Sequence, residues 1–281
     1  MRLSFSTNAF VRHSVFDAVQ SIAAIGYAGV ELLADVPHLY AESVTHAELE
    51  RLRNILKATG LRVANINANT AVGYYGREFW EPLFEPSLAH PDEHLRKWRI
   101  AYTKKCIDMA HVLGAPCVSV TSGKFVPGTA PDDSLELLRR SLDELLLYGT
   151  SKSIMIAIEY EPGLIVERFE EVLHLIDQFD CESFGVNLDL GHSHVQRELP
   201  KTVISELSPR IFHVHVEDIR DGKHYHLIPG TGQMDFPNLF SILTDNGYEG
   251  FVSVELYSYP HQPEAAAMQS FNFLNKVWKF S

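Results

Sequence analysis

Two hydrophobic patterns alternate along this chain. Short apolar runs rich in β-branched and aromatic residues are followed by longer stretches in which apolar residues recur every three or four positions. The first pattern predicts buried strands and the second predicts amphipathic helices. Eight strand-then-helix units result, with strands at Leu3–Thr7, Gly29–Leu33, Arg62–Ala68, Cys117–Thr121, Ile154–Glu159, Phe184–Asp189, Ile211–Val216 and Phe251–Leu256. The clearest helical stretches are Val15–Ile25, His46–Lys57, Arg96–Leu113, Leu135–Tyr148, Arg168–Gln178 and Ala265–Lys279.

The spacing of these units predicts how the sheet closes. Units of about 25–40 residues fit an eightfold βα repeat better than an open sheet. The length of 281 residues suits one barrel of roughly 250 residues. No linker or low-complexity segment interrupts the chain. We therefore expect an α/β fold of the (β/α)8 TIM-barrel class, with residues 1–281 as a single domain.

One predicted connection, 70–93, is unusually long and follows the third strand. It carries five aromatic residues: Tyr74, Tyr75, Phe79, Trp80 and Phe84. Loops longer than about 12–15 residues usually have a function or are disordered, and the aromatic content argues against disorder. A loop after a barrel strand lies on the catalytic face, so we expect a lid or substrate wall in which Trp80 contacts substrate. A loop docked for its own stability, or an oligomer contact, is the alternative.

Charge and composition limit the kinds of molecule that this protein is expected to bind. The 24 Lys and Arg residues against 36 Asp and Glu residues give a net charge of −12, which disfavours binding to nucleic-acid phosphates. No apolar run reaches the ~18 residues of a membrane span, and the first ten residues lack the apolar core of a signal peptide. The three cysteines are widely spaced, which favours reduced, buried thiols and a cytoplasmic location. We expect a small-molecule substrate, no nucleic-acid or membrane partner, and a possible homo-oligomer.

Four predicted strands in a row end in a side chain that can bind a metal: Glu159, Asp189, His215 and Glu255. Side chains alternate between the two faces of a strand, and the residues on the opposite faces of these four strands are apolar. Any one of the four could be a salt-bridge partner. Together they are harder to explain in that way, because buried carboxylates without a cation repel one another and no Lys or Arg in these strands is placed to neutralise them. We therefore predict a divalent-metal site at the barrel rim.

The donor types limit the metal. Three carboxylates and one imidazole favour one Mn²⁺ or Mg²⁺ ion, with Co²⁺ or Zn²⁺ as further candidates. Other polar residues are predicted to contact substrate, namely Glu31 in the second strand, Asn67 in the third, and His226. The glycines that follow His226 allow two interpretations: backbone N–H groups that approach a ligand anion, or a tight turn leading to a helix capped by Asp235. His213 is expected to be a polar core residue.

Several short motifs then suggest a relationship. Asp189-Leu-Gly-His192 is a D-x-x-H step, His213-Val-His215-Val-Glu-Asp218 follows on the seventh strand, and His226 opens an H-x-x-P-G-x-G-x-x-D run to Asp235. In this order they resemble the xylose-isomerase-like barrel superfamily of sugar and sugar-phosphate isomerases and epimerases, which also contains endonuclease-four-type enzymes. The resemblance covers essentially the whole chain and is strongest between 154 and 257.

The resemblance implies roles for individual residues. Glu159, Asp189, His215 and Glu255 match the metal ligands of the ketose 3-epimerase and hydroxypyruvate isomerase branches, and His192 matches a substrate-contacting histidine. Glu159 and Glu255 match the catalytic pair that removes a proton on one face of the substrate carbon and returns it on the other. The expected activity is metal-dependent isomerisation or epimerisation of a small sugar or sugar derivative through an enediolate.

Departures from the family keep other activities open. The endonuclease-four-type barrels use histidines on strands 3 and 4 that this chain lacks, which puts a trinuclear zinc site and abasic-site cleavage in doubt. Ile165 stands where the ketose 3-epimerases carry a glutamate, which weakens transfer of their sugar specificity. A metal-dependent phosphoesterase remains one alternative. A sugar dehydratase is another, because enediolate chemistry can also expel a β-hydroxyl group.

Overall fold

Eight parallel strands close into a barrel in the computed structural model, which describes residues 1–77 and 84–281. The barrel strands are β1 (Arg2–Ser6), β2 (Gly29–Leu33), β3 (Arg62–Asn67), β4 (Cys117–Thr121), β5 (Met155–Glu159), β6 (Phe184–Asp189), β7 (Ile211–Val216) and β10 (Phe251–Val254). Their order around the barrel follows the chain, with β10 between β7 and β1. The predicted TIM-barrel class is confirmed.

Helices cover the outside of the barrel. They are α1 (Val15–Ile25), α2 (His46–Thr59), α3 (Val72–Tyr75), α4 (Glu93–Leu113), α5 (Pro131–Lys152), α6 (Phe169–Ile176), α7 (Leu190–Val195), α8 (Pro200–Leu207), α9 (Phe236–Asp245) and α10 (Pro263–Val277), with a 3₁₀ helix at Thr7–Phe10. None of the helices in the described part of the chain is both long and apolar enough to cross a membrane.

The alternation of side chains explains how the barrel presents polar groups inside. In β5, Ile156 and Ile158 are fully buried on the face that the alternation assigns to the helices. Glu159 closes the same strand on the inner face. The pattern repeats in β6 and β7, where Leu188 and Val214 are the apolar neighbours of Asp189 and His215. The apolar residues form the core, and the inner face is left to the polar side chains.

Local signals fix the helix ends. The side chain of Thr45 accepts from the N–H of Glu48, whose carboxylate accepts in return from Thr45, so α2 begins with a capping box. Asp189 caps the short helix α7 immediately after β6, which turns the chain sharply at the barrel mouth. Asp235 caps α9 by accepting from the N–H of Asn238, as predicted.

One element was not predicted. Strands β8 (Asp218–Arg220) and β9 (Lys223–Leu227) form an antiparallel hairpin between β7 and α9. Its two-residue turn is Asp221–Gly222, with φ values of 56° and 65°. An Asp-Gly pair is a preferred sequence for such a turn. The hairpin carries His224 and His226 on alternate positions of β9, so both side chains lie on the same side.

The long connection after β3 is described only in part. It contains α3, in which the Tyr74 ring lies 4.4 Å from the Trp98 ring on α4. Phe79 and Trp80 lie outside the described residues, so the contact of Trp80 with substrate and the lid stay predictions. The cysteines are unpaired, with Cys106 and Cys117 buried. Cys181, expected to be buried, is partly exposed because it precedes β6.

Candidate metal and substrate site

The four predicted metal ligands meet at one point of the barrel mouth. One ligand atom from each of Glu159, Asp189, His215 and Glu255 lies within 4.8 Å of the others. His215 Nδ1 is at the centre, 3.1 Å from Glu159 Oε1, 3.6 Å from Glu255 Oε2 and 3.9 Å from Asp189 Oδ2. The group comes from four neighbouring strands, with Glu255 and Glu159 at its two ends.

Asp189 is held so that one oxygen faces this centre. Its Oδ1 accepts from the backbone N–H groups of Gly191 and His192 at the start of α7. Its Oδ2 is buried and has no hydrogen-bond partner among the described residues. A buried carboxylate oxygen without a partner is costly. A cation bound at this point would supply the missing interaction.

Polar neighbours fix the two glutamates. Glu159 Oε2 accepts from the amide of Asn187 at 3.1 Å, and Glu255 Oε1 accepts from the amide of Asn8 at 3.0 Å. In each case the other carboxylate oxygen faces His215. Both side chains are therefore oriented before any ligand arrives, which favours precise chemistry.

Glu31 holds His215 from the opposite side. Its Oε2 lies 2.6 Å from His215 Nε2 and 3.2 Å from His213 Nε2. Glu31 also accepts from the Asn65 amide and is fully buried. The structure thus places Glu31 behind His215, where it orients the imidazole. Its predicted contact with substrate stays a prediction. His213 is a buried polar residue, as expected.

The pKa values show a strongly charged cluster. Burial lowers the pKa of His215, but Glu31, Glu255 and Glu159 outweigh it and hold this pKa well above its usual range. Burial raises the pKa of Glu255 well above its ordinary value, and Glu159 and Glu31 add to the rise against the opposing effect of His215. The mouth therefore concentrates more negative charge than its histidine can balance. Its donors, three carboxylate oxygens and one imidazole, match those that divalent cations use.

The predicted substrate residues lie at different depths. His192 is buried beside Asp189, with its Nε2 3.8 Å from Asp189 Oδ2. His226 Nδ1 lies 3.2 Å from the carbonyl oxygen of Glu255. Both therefore border the cluster. Asn67 is buried at the last position of β3, and its Oδ1 accepts from the N–H of Asn69. Its contact with substrate stays a prediction.

The glycine turn after His226 has a structural role. The carboxylate of Asp218 accepts from the backbone N–H groups of Gly230, Gly232 and Met234. These donors are used inside the protein, so the interpretation as an anion-binding turn is wrong for this segment. The alternative, a tight turn leading to α9, is correct.

Two residues at the site do not follow from the sequence patterns. His224, on the unpredicted hairpin, lies against His192 and His226, with ring centroids 4.5 and 4.2 Å away. Glu217, two residues after His215, is fully buried. The His-Tyr-His spacing in β9 was the available signal, because a period of two places both rings on one side of a strand.

Comparisons with known proteins agree with this architecture. The family model described as a xylose isomerase-like TIM barrel matches residues 19–277. Fructoselysine 3-epimerase of Shigella flexneri is 23% identical over 275 residues, covering 96% of this chain and 95% of that protein. Inosose dehydratase of Clostridium botulinum (strain Eklund 17B / Type B) is 24% identical over 272 residues, covering 86% and 82%.

A solved structure shows the same fold. The IolI protein with a bound zinc atom superimposes with a TM-score of 0.79 at 19% identity, covering 99% of this chain and 100% of that chain. The similarity to the family model extends over nearly the whole barrel and includes all four strand ends of the site. The chain belongs to the xylose isomerase-like TIM-barrel family.

Proposed function

We propose that this protein is a divalent-metal-dependent epimerase or isomerase of a small sugar or sugar derivative. The main support for this proposal is the arrangement of the ligand group. Glu159 and Glu255 lie at its two ends, and His215 and Asp189 lie between them. Relatives that include a sugar 3-epimerase at 96% coverage of this chain support the proposal.

The metal would be held by Glu159, Asp189, His215 and Glu255. The unpartnered Oδ2 of Asp189 and the excess of buried carboxylates fit such a cation. When bound there, a divalent cation would polarise a substrate carbonyl and stabilise the negative charge that develops on deprotonation. Mn²⁺ or Mg²⁺ suits the oxygen-rich donor set, and Co²⁺ or Zn²⁺ also fits it.

The two glutamates move the proton. One carboxylate removes the proton from the carbon next to the substrate carbonyl, and the enediolate then accepts a proton from the carboxylic acid at the other end of the group. Delivery to the opposite face of the same carbon inverts it, which is epimerisation. Return of the proton to the neighbouring carbon gives isomerisation. His192 and His226 border this space and are proposed to hydrogen bond substrate hydroxyl groups.

A dehydratase is the second candidate. Its support is the inosose dehydratase relative, which matches 86% of this chain. The same deprotonation step, followed by loss of a β-hydroxyl group, would release water in place of returning the proton. The residues proposed as acid and base are the same, so the products distinguish the two reactions.

The test is proton exchange in D₂O. A panel of ketoses and inososes, each with and without phosphate where available, is incubated with the protein and Mn²⁺, and products are analysed by NMR and mass spectrometry. The proposal predicts deuterium at the carbon next to a carbonyl, together with an epimer or isomer of equal carbon and oxygen content. Net loss of water would show the dehydratase. Absence of deuterium from every compound would contradict both.

A further inference from the structure

Beyond each proposed acid–base glutamate, the chain carries a further polar side chain over the barrel mouth. Glu161 follows Glu159 by two positions, and Tyr257 follows Glu255 by two positions. One fully buried residue separates the members of each pair: Tyr160 in the first and Leu256 in the second. The alternation of a strand, continued by two residues, therefore directs Glu161 and Tyr257 to the same side as the glutamates below them.

The contacts of Tyr257 agree with this position. Its ring centroid lies 4.2 Å from that of His226, which borders the four-residue site. Burial raises the pKa of Tyr257 above its ordinary value, and Glu255 and Glu161 add to the rise. The phenol therefore keeps its proton, and its hydroxyl group has no hydrogen-bond partner among the described residues. The residue is 38% exposed, so a ligand can reach it.

The backbone of Glu161 is fixed within its own loop. Its N–H donates to the carbonyl oxygen of Val166 at 3.3 Å, and its carbonyl oxygen accepts from the N–H of Leu164 at 3.1 Å. The N–H of Ile165 donates to the carbonyl oxygen of Gly123 at 2.9 Å, which ties the loop to the end of β4. Leu164, Ile165 and Val166 are buried. The Glu161 carboxyl group is thus held at the mouth before any substrate arrives.

This carboxyl group has no partner in the described part of the chain. It makes neither a hydrogen bond nor an ion pair there, and the residue is partly exposed. Burial raises the pKa of Glu161 to about 7, and the charged groups that act on it are, in decreasing order, His192, Glu159, Asp189 and Lys124. The carboxyl group therefore lies beside the four-residue site. In either protonation state it can hydrogen bond with a hydroxyl group.

Given the proposed epimerase or isomerase activity, on which this assignment rests, we propose that Glu161 and Tyr257 form a distal subsite for an unphosphorylated sugar. They would bind hydroxyl groups at the end of the sugar away from the reacting carbon. A hydroxyl group both donates and accepts, which matches a carboxyl group and a phenol that lack other partners. A phosphate group would instead meet the carboxylates of Glu159 and Asp189, with the ammonium group of Lys124 as the weaker influence. Like charges placed so close disfavour binding.

Sets of matched substrates test the subsite on the full-length protein loaded with Mn²⁺. Each set contains a ketose with a terminal hydroxyl group, the same ketose without that hydroxyl group, and the same ketose phosphorylated there. The wild type is expected to prefer the hydroxyl compound to the phosphate ester by at least ~10-fold in kcat/KM. Glu161→Ala should lower kcat/KM for the hydroxyl compound by roughly 10-fold, through KM. It should leave the deoxy compound nearly unchanged, because the interacting pair is already absent there.

A second variant and a matched control support this test. Tyr257→Phe keeps the ring and removes only the hydroxyl group, so it should show the same pattern and decides the question if Glu161→Ala does not fold. Glu170 is exposed on α6, and Glu170→Ala should behave as the wild type does.

Three results would contradict the distal subsite. Equal losses on the hydroxyl and deoxy compounds in both variants would show that the two residues act on the structure alone. A wild-type preference for the phosphate ester that is lost in Lys124→Gln would show a phosphate site in its place. Failure of the proposed function gives a different result, since the wild type would then introduce deuterium from D₂O into none of the compounds, and both proposals would be overturned.

Discussion

Glu31 Oε2 lies 2.6 Å from His215 Nε2, and this contact couples strand β2 to the centre of the candidate metal site. The imidazole donates to Glu31 on one side and presents Nδ1 to the carboxylates on the other. Burial would raise the pKa of Glu31, but His215 and His213 hold it well below its ordinary value. Glu31 thus stays charged behind the histidine, an arrangement that increases the strength of an imidazole ligand.

Replacement of Glu31 should therefore weaken metal binding without removing a ligand. Glu31→Gln is expected to lower Mn²⁺ affinity by roughly 10- to 100-fold, the usual effect of losing such a partner. Calorimetric titration of the metal-stripped protein measures it. The exposed Glu206 on α8 gives the control Glu206→Gln, which should bind as the wild type does. Equal affinity in Glu31→Gln and wild type would show that His215 does not need this contact.

Replacement of either glutamate at the ends of the ligand group should stop the proton transfer. Glu159→Gln and Glu255→Gln are each expected to reduce turnover by at least ~100-fold, because an amide cannot act as a base or an acid. Steady-state rates on the substrate found in the D₂O screen measure this, with melting temperature as the check on folding. A well-folded Glu159→Gln protein with wild-type rates would exclude Glu159 from the reaction.

Different residues of the long loop after β3 are expected to serve stability and substrate binding. Tyr74 packs on Trp98, which stacks on Tyr102, so Tyr74→Ala should lower the melting temperature, as the loss of aromatic packing usually does. Trp80→Ala, by contrast, is expected to raise KM more than it lowers stability, since Trp80 is predicted to contact substrate. Thermal unfolding and steady-state kinetics on both variants test this. A Trp80→Ala protein with unchanged KM and lower stability would mark the loop as structural.

Acid sensitivity should arise in part from His38. Burial lowers its pKa from 6.5 to about 4, so the unfolded chain takes up a proton at a higher pH than the folded protein does. The stability contributed by neutral His38 is present above about pH 6.5 and is lost as the pH falls towards 4, in total roughly 3 kcal/mol.

Replacement of His38 should make the free energy of unfolding depend less steeply on pH. Free energies of unfolding from urea titrations between pH 7 and 4.5 should fall less steeply for His38→Gln than for wild type. His46→Gln, which alters an exposed histidine on α2, should follow the wild-type curve. Parallel curves for His38→Gln and wild type would contradict the assignment.

The barrel and the meeting of the four strand ends could be predicted because both follow from periodicity. A two-residue alternation in each strand fixes which side chains face inward, and parallel strands bring their carboxyl ends to one rim. Glu159, Asp189, His215 and Glu255 are therefore placed by local pattern alone. The capping role of Asp235 is local in the same sense.

Contacts across the barrel could not be predicted in this way. The position of Glu31 behind His215 depends on the stagger between strands that are far apart in the chain. The use of the glycine-turn N–H groups by Asp218 depends on the β8–β9 hairpin folding back on itself. His224 was missed for the same reason, although the Asp221–Gly222 turn carried a hairpin signal.

The central claim is that four side chains from β5, β6, β7 and the end of β10 hold one divalent cation. Anomalous diffraction from a crystal soaked in Mn²⁺ tests it most directly. The account predicts a peak bounded by Glu159, Asp189, His215 Nδ1 and Glu255, at the distances of roughly 2.0–2.3 Å typical of metal–ligand bonds. No peak at that point, in crystals where manganese is found elsewhere, would contradict it.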